Sequence, residues 1–238
     1  MNTPWIEKIT LSPDKDFPAT SFFIGRIPNL PLPTNRKEAF IKQQPLHRKI
    51  IDTLFPSRDR STKIPLIYAD QCHGSNRAII TPPFLETEKK DHVDGLMTTH
   101  SGVILSIATA DCAPVWILEK KGRAGALIHS GKQGTELGIV PKAIRQMKEA
   151  FQIDPQDLIL TIGPCIRPPC YEIDFAEIIR KQAVEAGIGM VQDEKICTAC
   201  YRERYYSYRY EQGKTGHMLA LLLLHTTATV TSQEKEIF

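Results

Sequence analysis

The sequence predicts a mixed α/β (α+β) fold: one domain over residues 1–238, with a central mixed β-sheet flanked by helices. Three observations lead there. The middle of the chain carries short runs rich in Ile, Val and Leu, of strand length. Segments beside them place apolar residues at helical spacing. The two kinds of segment do not alternate strictly, as a doubly wound parallel sheet requires. With 42% of its 238 residues hydrophobic, the chain has enough apolar material for a sizeable core.

The opening stretch, MNTPWIEKITLSPDKDF, has no continuous apolar run after a basic start, so no secretory signal is expected. Pro28, Pro31 and Pro33 make a stiff turn, because proline fixes φ and removes a donor. A helix is expected over Arg36–Leu54, with Pro45 as a break or restart. Residues 64–69, 103–108, 113–118 and 124–129 read as strands. Residues 141–151 read as a helix, with Ile144, Met147 and Phe151 on one face and Pro141 in the first turn. Leu158–Ile162 is a further strand. A second helix spans 174–186, with Asp174 as N-cap and Gly187 beyond its end. Residues 205–208 read as a strand. Residues 217–224, with their Leu-rich run, read as a buried closing helix too short to span a bilayer.

Net charge is +3, from 30 basic and 27 acidic residues. The charges are scattered, so no strong field for nucleic acid or an anionic membrane is expected. The expected partner is a small molecule and the expected location cytoplasmic; nothing in the chain speaks to oligomeric state. Six cysteines without a secretory signal read as thiols or metal ligands rather than a disulfide framework.

Three segments carry metal-capable side chains at strand ends, beside small residues: Gln71-Cys72-His73-Gly74, Thr109-Ala110-Asp111-Cys112 and Ile128-His129-Ser130-Gly131. Two imidazoles and a thiolate, His73, Cys112 and His129, make three protein ligands with an open position, the pattern of a catalytic zinc. Each of these residues alone reads as a packed core residue, and no local spacing joins them. Asp111 is a candidate for orienting a ligand imidazole or a water, or simply for capping the turn. Cys165 and Cys170, with Cys197 and Cys200, are open to three readings: a structural zinc, a redox pair or buried thiols. The thiol reading is favoured because the Cys-x4-Cys spacing is loose. A zinc-deaminase signature is excluded, since no His-x-Glu precedes a Pro-Cys-x-x-Cys. Arg202, Arg204, Tyr205, Tyr206, Tyr208 and Arg209 suit either a nucleoside pocket or an amphipathic edge strand.

In order along the chain, the following segments resemble the YfiH family, also known as the polyphenol-oxidase or laccase-domain family: Phe22-Phe23-Ile24-Gly25-Arg26, Gln71-Cys72-His73-Gly74, Asp94-Gly95-Leu96-Met97-Thr98, Thr109-Ala110-Asp111-Cys112-Ala113-Pro114-Val115, Gly163-Pro164-Cys165-Ile166, Cys170-Tyr171-Glu172-Ile173, and Tyr206-Ser207-Tyr208-Arg209 with Thr215-Gly216. The resemblance implies metal ligation by His73, Cys112 and His129. It implies phosphorolysis of purine nucleosides and deamination of adenosine, and a fold similar to that of deamidating toxin domains. Zinc accounts for deamination by lowering the pKa of a bound water toward 7. For the phosphate clamp the candidates are Arg26, Lys132 and Arg209.

Two departures stand out. Where the family has His-Ala-Gly-Trp-Arg-Gly, this chain has His129-Ser130-Gly131-Lys132-Gln133-Gly134; where it has Thr-Gly-Arg, this chain has Thr215-Gly216-His217. These losses weaken the expectation of phosphorolysis relative to deamination. A cysteine-dependent amidase acting on cell-wall precursors, with Cys112 as nucleophile and His129 as base, is the alternative. A degenerate, non-enzymatic homologue is a third reading. Copper is the less favoured metal: the chain has 7 histidines and no His-x-His pairs, too few for a multicopper oxidase.

Overall fold

The computed structural model describes residues 3–12, 14, 17–57 and 62–226. In chain order the elements are β1 (Ile6–Lys8), β2 (Ala19–Ile24), α1 (Arg36–Leu54), β3 (Leu66–Asp70), β4 (Arg77–Ile79), β5 (Thr87–Asp91), β6 (Gly95–Thr98), β7 (Ile104–Thr109), β8 (Ala113–Glu119), β9 (Gly125–Ser130), α2 (Lys132–Glu136), α3 (Ile139–Phe151), β10 (Leu158–Ile162), α4 (Phe175–Glu185), β11 (Met190–Asp193) and β12 (Met218–Leu224). The mixed α+β class expected from the sequence is what the chain adopts, with the sheet divided in two. One six-stranded sheet runs β1-β2-β12-β7-β3-β5 and the other β11-β10-β8-β9-β6-β4. Both mix parallel and antiparallel pairs.

The buried side chains fall into three layers. Phe23, Ile67, Leu105 and Leu222 from the first sheet meet Leu96, Trp116, Leu118 and Leu127 from the second, forming a core between the sheets. The outer face of the first sheet, with Ile24, Ile104, Leu219 and Leu221, packs on Ile51 of α1. The outer face of the second, with Val115, Ile117, Ala126 and Leu160, packs on Ala143, Ile144 and Met147 of α3 and Ile179 of α4. Trp116 also donates its indole N–H to the Leu221 carbonyl at 3.1 Å, a buried bond from one sheet to the other.

This layering corrects the expected closing helix. Residues 218–224 are a strand, and Leu219, Leu221 and Leu223 face α1 while Ala220, Leu222 and Leu224 face the other sheet. A strand buried on both faces is apolar at every position, so it lacks the alternation that distinguishes strand from buried helix. Residues 205–208 likewise form no strand. Their polar groups are taken by irregular contacts: the Tyr206 hydroxyl donates to the Ile27 carbonyl and the Ser207 hydroxyl to Asp111.

α1 runs through Pro45 without a break. Its buried residues, Ala39, Gln43, His47 and Ile51, repeat every fourth position, and that packed stripe outweighs the missing N–H. Asn35 caps it by accepting from the N–H groups of Lys37 and Glu38. α4 starts at the expected cap, Asp174, whose carboxylate accepts from Glu177 N–H at 3.0 Å.

The double burial of β12 gives a stability contrast. Leu222→Ala should lower unfolding free energy by about 2–5 kcal/mol, because Leu222 is 1% exposed. Ile41→Ala, at a position 62% exposed, should stay within about 0.5 kcal/mol. Urea titration of both variants measures the difference.

Candidate metal centre

Strand register brings three distant segments to one end of the sandwich. β3 ends at Asp70, and the Gln71 side chain extends its pairing with β7. The Gln71 amide N–H donates to the Ala108 carbonyl at 2.7 Å and its carbonyl accepts the Ala108 N–H at 2.8 Å. His73 follows in a tight turn with φ +60°, a left-handed conformation that is uncommon for a non-glycine residue. Cys112 lies where the chain crosses from β7 in one sheet to β8 in the other, after Asp111 at φ +84°. His129 is the second-last residue of β9.

These elements place an imidazole nitrogen of His73, the Cys112 sulfur and an imidazole nitrogen of His129 within 4.8 Å of one another. The two rings stand nearly perpendicular, with centroids 4.9 Å apart. Gly131 makes room for the sulfur: a Cβ there would lie 2.4 Å from Cys112 Sγ. Glycine is required at this position by close approach rather than by φ.

Asp94 organises the cluster, although its only mark in the sequence is a place in a matched motif. It is fully buried just before β6. Its carboxylate accepts from the backbone N–H groups of Cys72, His73 and Gly74 at 3.3, 2.9 and 2.7 Å. It also accepts the Nδ1–H of His129 at 2.8 Å, which turns His129 Nε2 toward Cys112. That Nε2 is buried without a hydrogen-bond partner of good geometry. An orphaned imidazole nitrogen beside a thiol and a second imidazole is a donor set that fits zinc or a similar borderline metal.

Charge couples the group. For Cys112, burial pushes the thiol up, but the His129 cation, with help from His73, pulls it down to about 6. For His129, burial pushes down, while the Cys112 thiolate and Asp94 raise it to about 9. Asp94, despite burial, is held at about 2 by its bonds to His129, Cys72 and the Gly74 backbone. Without a metal, the attraction between Cys112 and His129 favours the thiolate and imidazolium forms.

Asp111 sits beside Cys112 with its carboxylate turned to the 198–209 segment. Its carboxylate accepts from the Thr198 hydroxyl at 2.7 Å, the Ser207 hydroxyl at 3.0 Å and the Arg209 N–H at 2.7 Å. It ties down the 198–209 segment, and Asp94 is the carboxylate on the imidazole. The three basic candidates differ in their surroundings. Arg26 donates to Glu211 and to the Tyr205 carbonyl and stacks on Tyr206. Arg209 pairs with Glu172 at 2.8 Å. Lys132 and Gln133 are exposed at the start of α2.

A pocket of about 500 Å³ has His73 in its wall, with Arg36, Lys37, Phe40, Tyr68, Gln71 and His217. Here Arg36 Nε donates to His217 Nε2 at 3.0 Å. Burial and the Arg36 cation hold His217 down at about 3, so it is a neutral acceptor. His217 stands where the motif usually carries arginine, and Arg36 brings a guanidinium to it from α1. No spacing links Arg36 to residue 217, and only the tertiary fold brings them together.

Residues 56–176 and 172–225 match the family model described as multi-copper polyphenol oxidoreductase laccase. A purine nucleoside phosphorylase of Streptomyces coelicolor is 32% identical over 178 residues, covering 65% of this chain and 73% of that protein. One from Bacteroides thetaiotaomicron is 28% identical over 198 residues, covering 67% and 73%. The fold is similar to that of the Bacillus licheniformis hypothetical protein YfiH, with TM-score 0.71 and 23% identity over 87% of this chain and 92% of that one. YlmD from Geobacillus stearothermophilus gives TM-score 0.70 at 23% identity, over 88% and 93%.

Two outcomes follow from this geometry. In metal-free protein, alkylation of Cys112 should rise with pH through about 6, the thiolate form gaining as pH increases, whereas Cys72, raised by burial and Asp94, should react only above its usual range; peptide mapping after brief iodoacetamide treatment reads both. Gly131→Ala should cost metal affinity about tenfold or more without removing a ligand, as measured by competition with a chromophoric chelator.

Proposed function

The chain belongs to the multi-copper polyphenol oxidoreductase laccase family, and from that premise we propose that it is a zinc-dependent enzyme of purine nucleosides, cleaving them with phosphate and deaminating adenosine. The observation that carries this reading is the His73, Cys112 and His129 cluster, with its unpartnered Nε2, beside a pocket walled by cations and aromatic rings. Relatives named purine nucleoside phosphorylase support the substrate class. We read the chain as one domain, because the core between the sheets and the cluster both draw on strands of each sheet.

His73, Cys112 and His129 hold the zinc, which when bound supplies a Lewis acid effective at neutral pH. Asp94 fixes the His129 tautomer and ring plane, so Nε2 stays aimed at the site without reorganisation. Arg36 is the phosphate anchor: its Nε is committed to His217, leaving the two terminal nitrogens to bind phosphate oxygens in a fork. Lys37 adds a second positive charge at the same rim. Phe40 and Tyr68 offer apolar faces to a purine ring. The clamp considered at Arg26, Lys132 and Arg209 gives way to Arg36, since Arg26 and Arg209 are bound to glutamates.

One observation favours a second reading. Asp94, His129 and Cys112 line up as carboxylate, imidazole and thiolate, the order a cysteine hydrolase uses. In that case the thiol is the nucleophile and bound metal inhibits.

Metal removal separates the two. Chelation should abolish inosine formation from adenosine, and zinc should restore it. A chelated enzyme that instead hydrolyses amide substrates, and stops on thiol alkylation, contradicts the zinc reading. Arg36→Ala should raise KM for phosphate about ten- to hundredfold, the loss of a charge-assisted hydrogen bond, while adenosine deamination changes little; steady-state kinetics on both reactions provides the check.

A further inference from the structure

The first centre leaves a second group of metal-capable side chains unused. Cys197 begins a single helical turn: the N–H groups of Cys200 and Tyr201 both donate to the Cys197 carbonyl, at 3.2 and 3.3 Å. That turn sets Cys197 and Cys200 on one side of the chain. A parallel bridge between Cys165 and Cys197 brings the loop after β10 alongside, and this loop carries Cys170. The Cys170 and Cys200 sulfurs lie 3.4 Å apart, and the three sulfurs of Cys170, Cys197 and Cys200 all fall within 4.8 Å of one another. All three are free thiols, graded from buried Cys197 through Cys170 to exposed Cys200.

We propose that Cys170, Cys197 and Cys200 form a second metal site, a three-thiolate clip for a thiophilic cation, zinc or Cu(I), separate from the His73, Cys112 and His129 cluster. Sulfurs bound to one zinc at about 2.3 Å stand about 3.8 Å apart, so the observed spacing needs only small adjustment. The Cys197 sulfur is held in place by its own contact, the S–H donating to the Arg167 carbonyl at 3.8 Å. Soft ligands of this kind select zinc or Cu(I) over magnesium or calcium. Each thiol releases its proton to solvent on binding. Cys165 stays outside the group: it is wholly buried and not among the converging sulfurs. A Cys170–Cys200 disulfide would require their sulfurs to close to about 2.05 Å and would leave Cys197 alone.

The clip has a structural consequence for the first centre. Thr198, next to Cys197, donates to Asp111, next to Cys112. The Ile166 N–H donates to the Asp111 carbonyl at 2.8 Å. A cation on the three sulfurs therefore pins both segments that hold Asp111 and, through Asp111, the Ser207–Arg209 turn.

The test uses the full-length His129→Ala protein, purified under reductant from cultures supplemented with zinc or with copper, which leaves the first centre two of its three ligands. About one equivalent of metal per chain should remain, and the better-retained metal identifies the occupant. Replacement by Co(II) should give thiolate-to-cobalt charge-transfer absorption. Adding Cys200→Ser, an exposed change, or Cys170→Ser should lower metal retention at least tenfold, and Cys165→Ala should leave it unchanged. Chelation should lower Tm in the parent and not in the Cys200→Ser variant. Reduced, folded His129→Ala protein that takes up none of these metals, or one that returns a Cys170–Cys200 disulfide instead, overturns the proposal.

Discussion

The carboxylate of Asp94 joins the turn after β3 in one sheet to β9 in the other. Its five donors, the Cys72 thiol among them, all come from these two elements. A carboxylate buried this completely is costly unless every lone pair is met, and here three backbone N–H groups and an imidazole meet them. Each such charge-assisted bond contributes about 1.5–3 kcal/mol. The turn carrying His73 is held in a left-handed conformation by these bonds. The same carboxylate sets the tautomer of His129, holds its Nε2 toward the thiol and so lowers Cys112. The geometry of the cluster is thus the geometry of Asp94's hydrogen bonds.

Local pattern located five of the twelve strands, β3, β7, β8, β9 and β10, because these are short apolar runs ended by turn residues. It failed for β12 because double burial erases alternation, leaving a Leu run that suits a helix equally well. It failed for the 205–208 segment because that segment's aromatic and small residues have strand propensity, while its hydrogen bonds go to Asp111, Glu211 and Ile27. The division into two sheets could not be read locally at all, since successive strands from β3 to β8 alternate between the sheets.

The site was partly legible for a related reason. His73, Cys112 and His129 are distinctive residue types at strand ends, and their segments match a family pattern. Their convergence, however, is a property of the crossing between sheets. Of the basic residues in or beside the motifs, Arg26 pairs with Glu211 and Arg209 with Glu172. Arg36 has no motif beside it and reaches His217 from α1, more than half the chain away. Asp94 was visible only as a motif letter; a buried acid before a strand gives no sign of its partners.

The central claim is that this cluster binds one metal ion through all three side chains. Crystals of the protein measured at the zinc absorption edge test it most directly. The account predicts a strong anomalous peak about 2.3 Å from Cys112 Sγ and about 2.0–2.1 Å from a ring nitrogen of each of His73 and His129. An unmetallated cluster in zinc-soaked crystals, with Cys112 Sγ instead hydrogen-bonded to His129 Nε2, would contradict it.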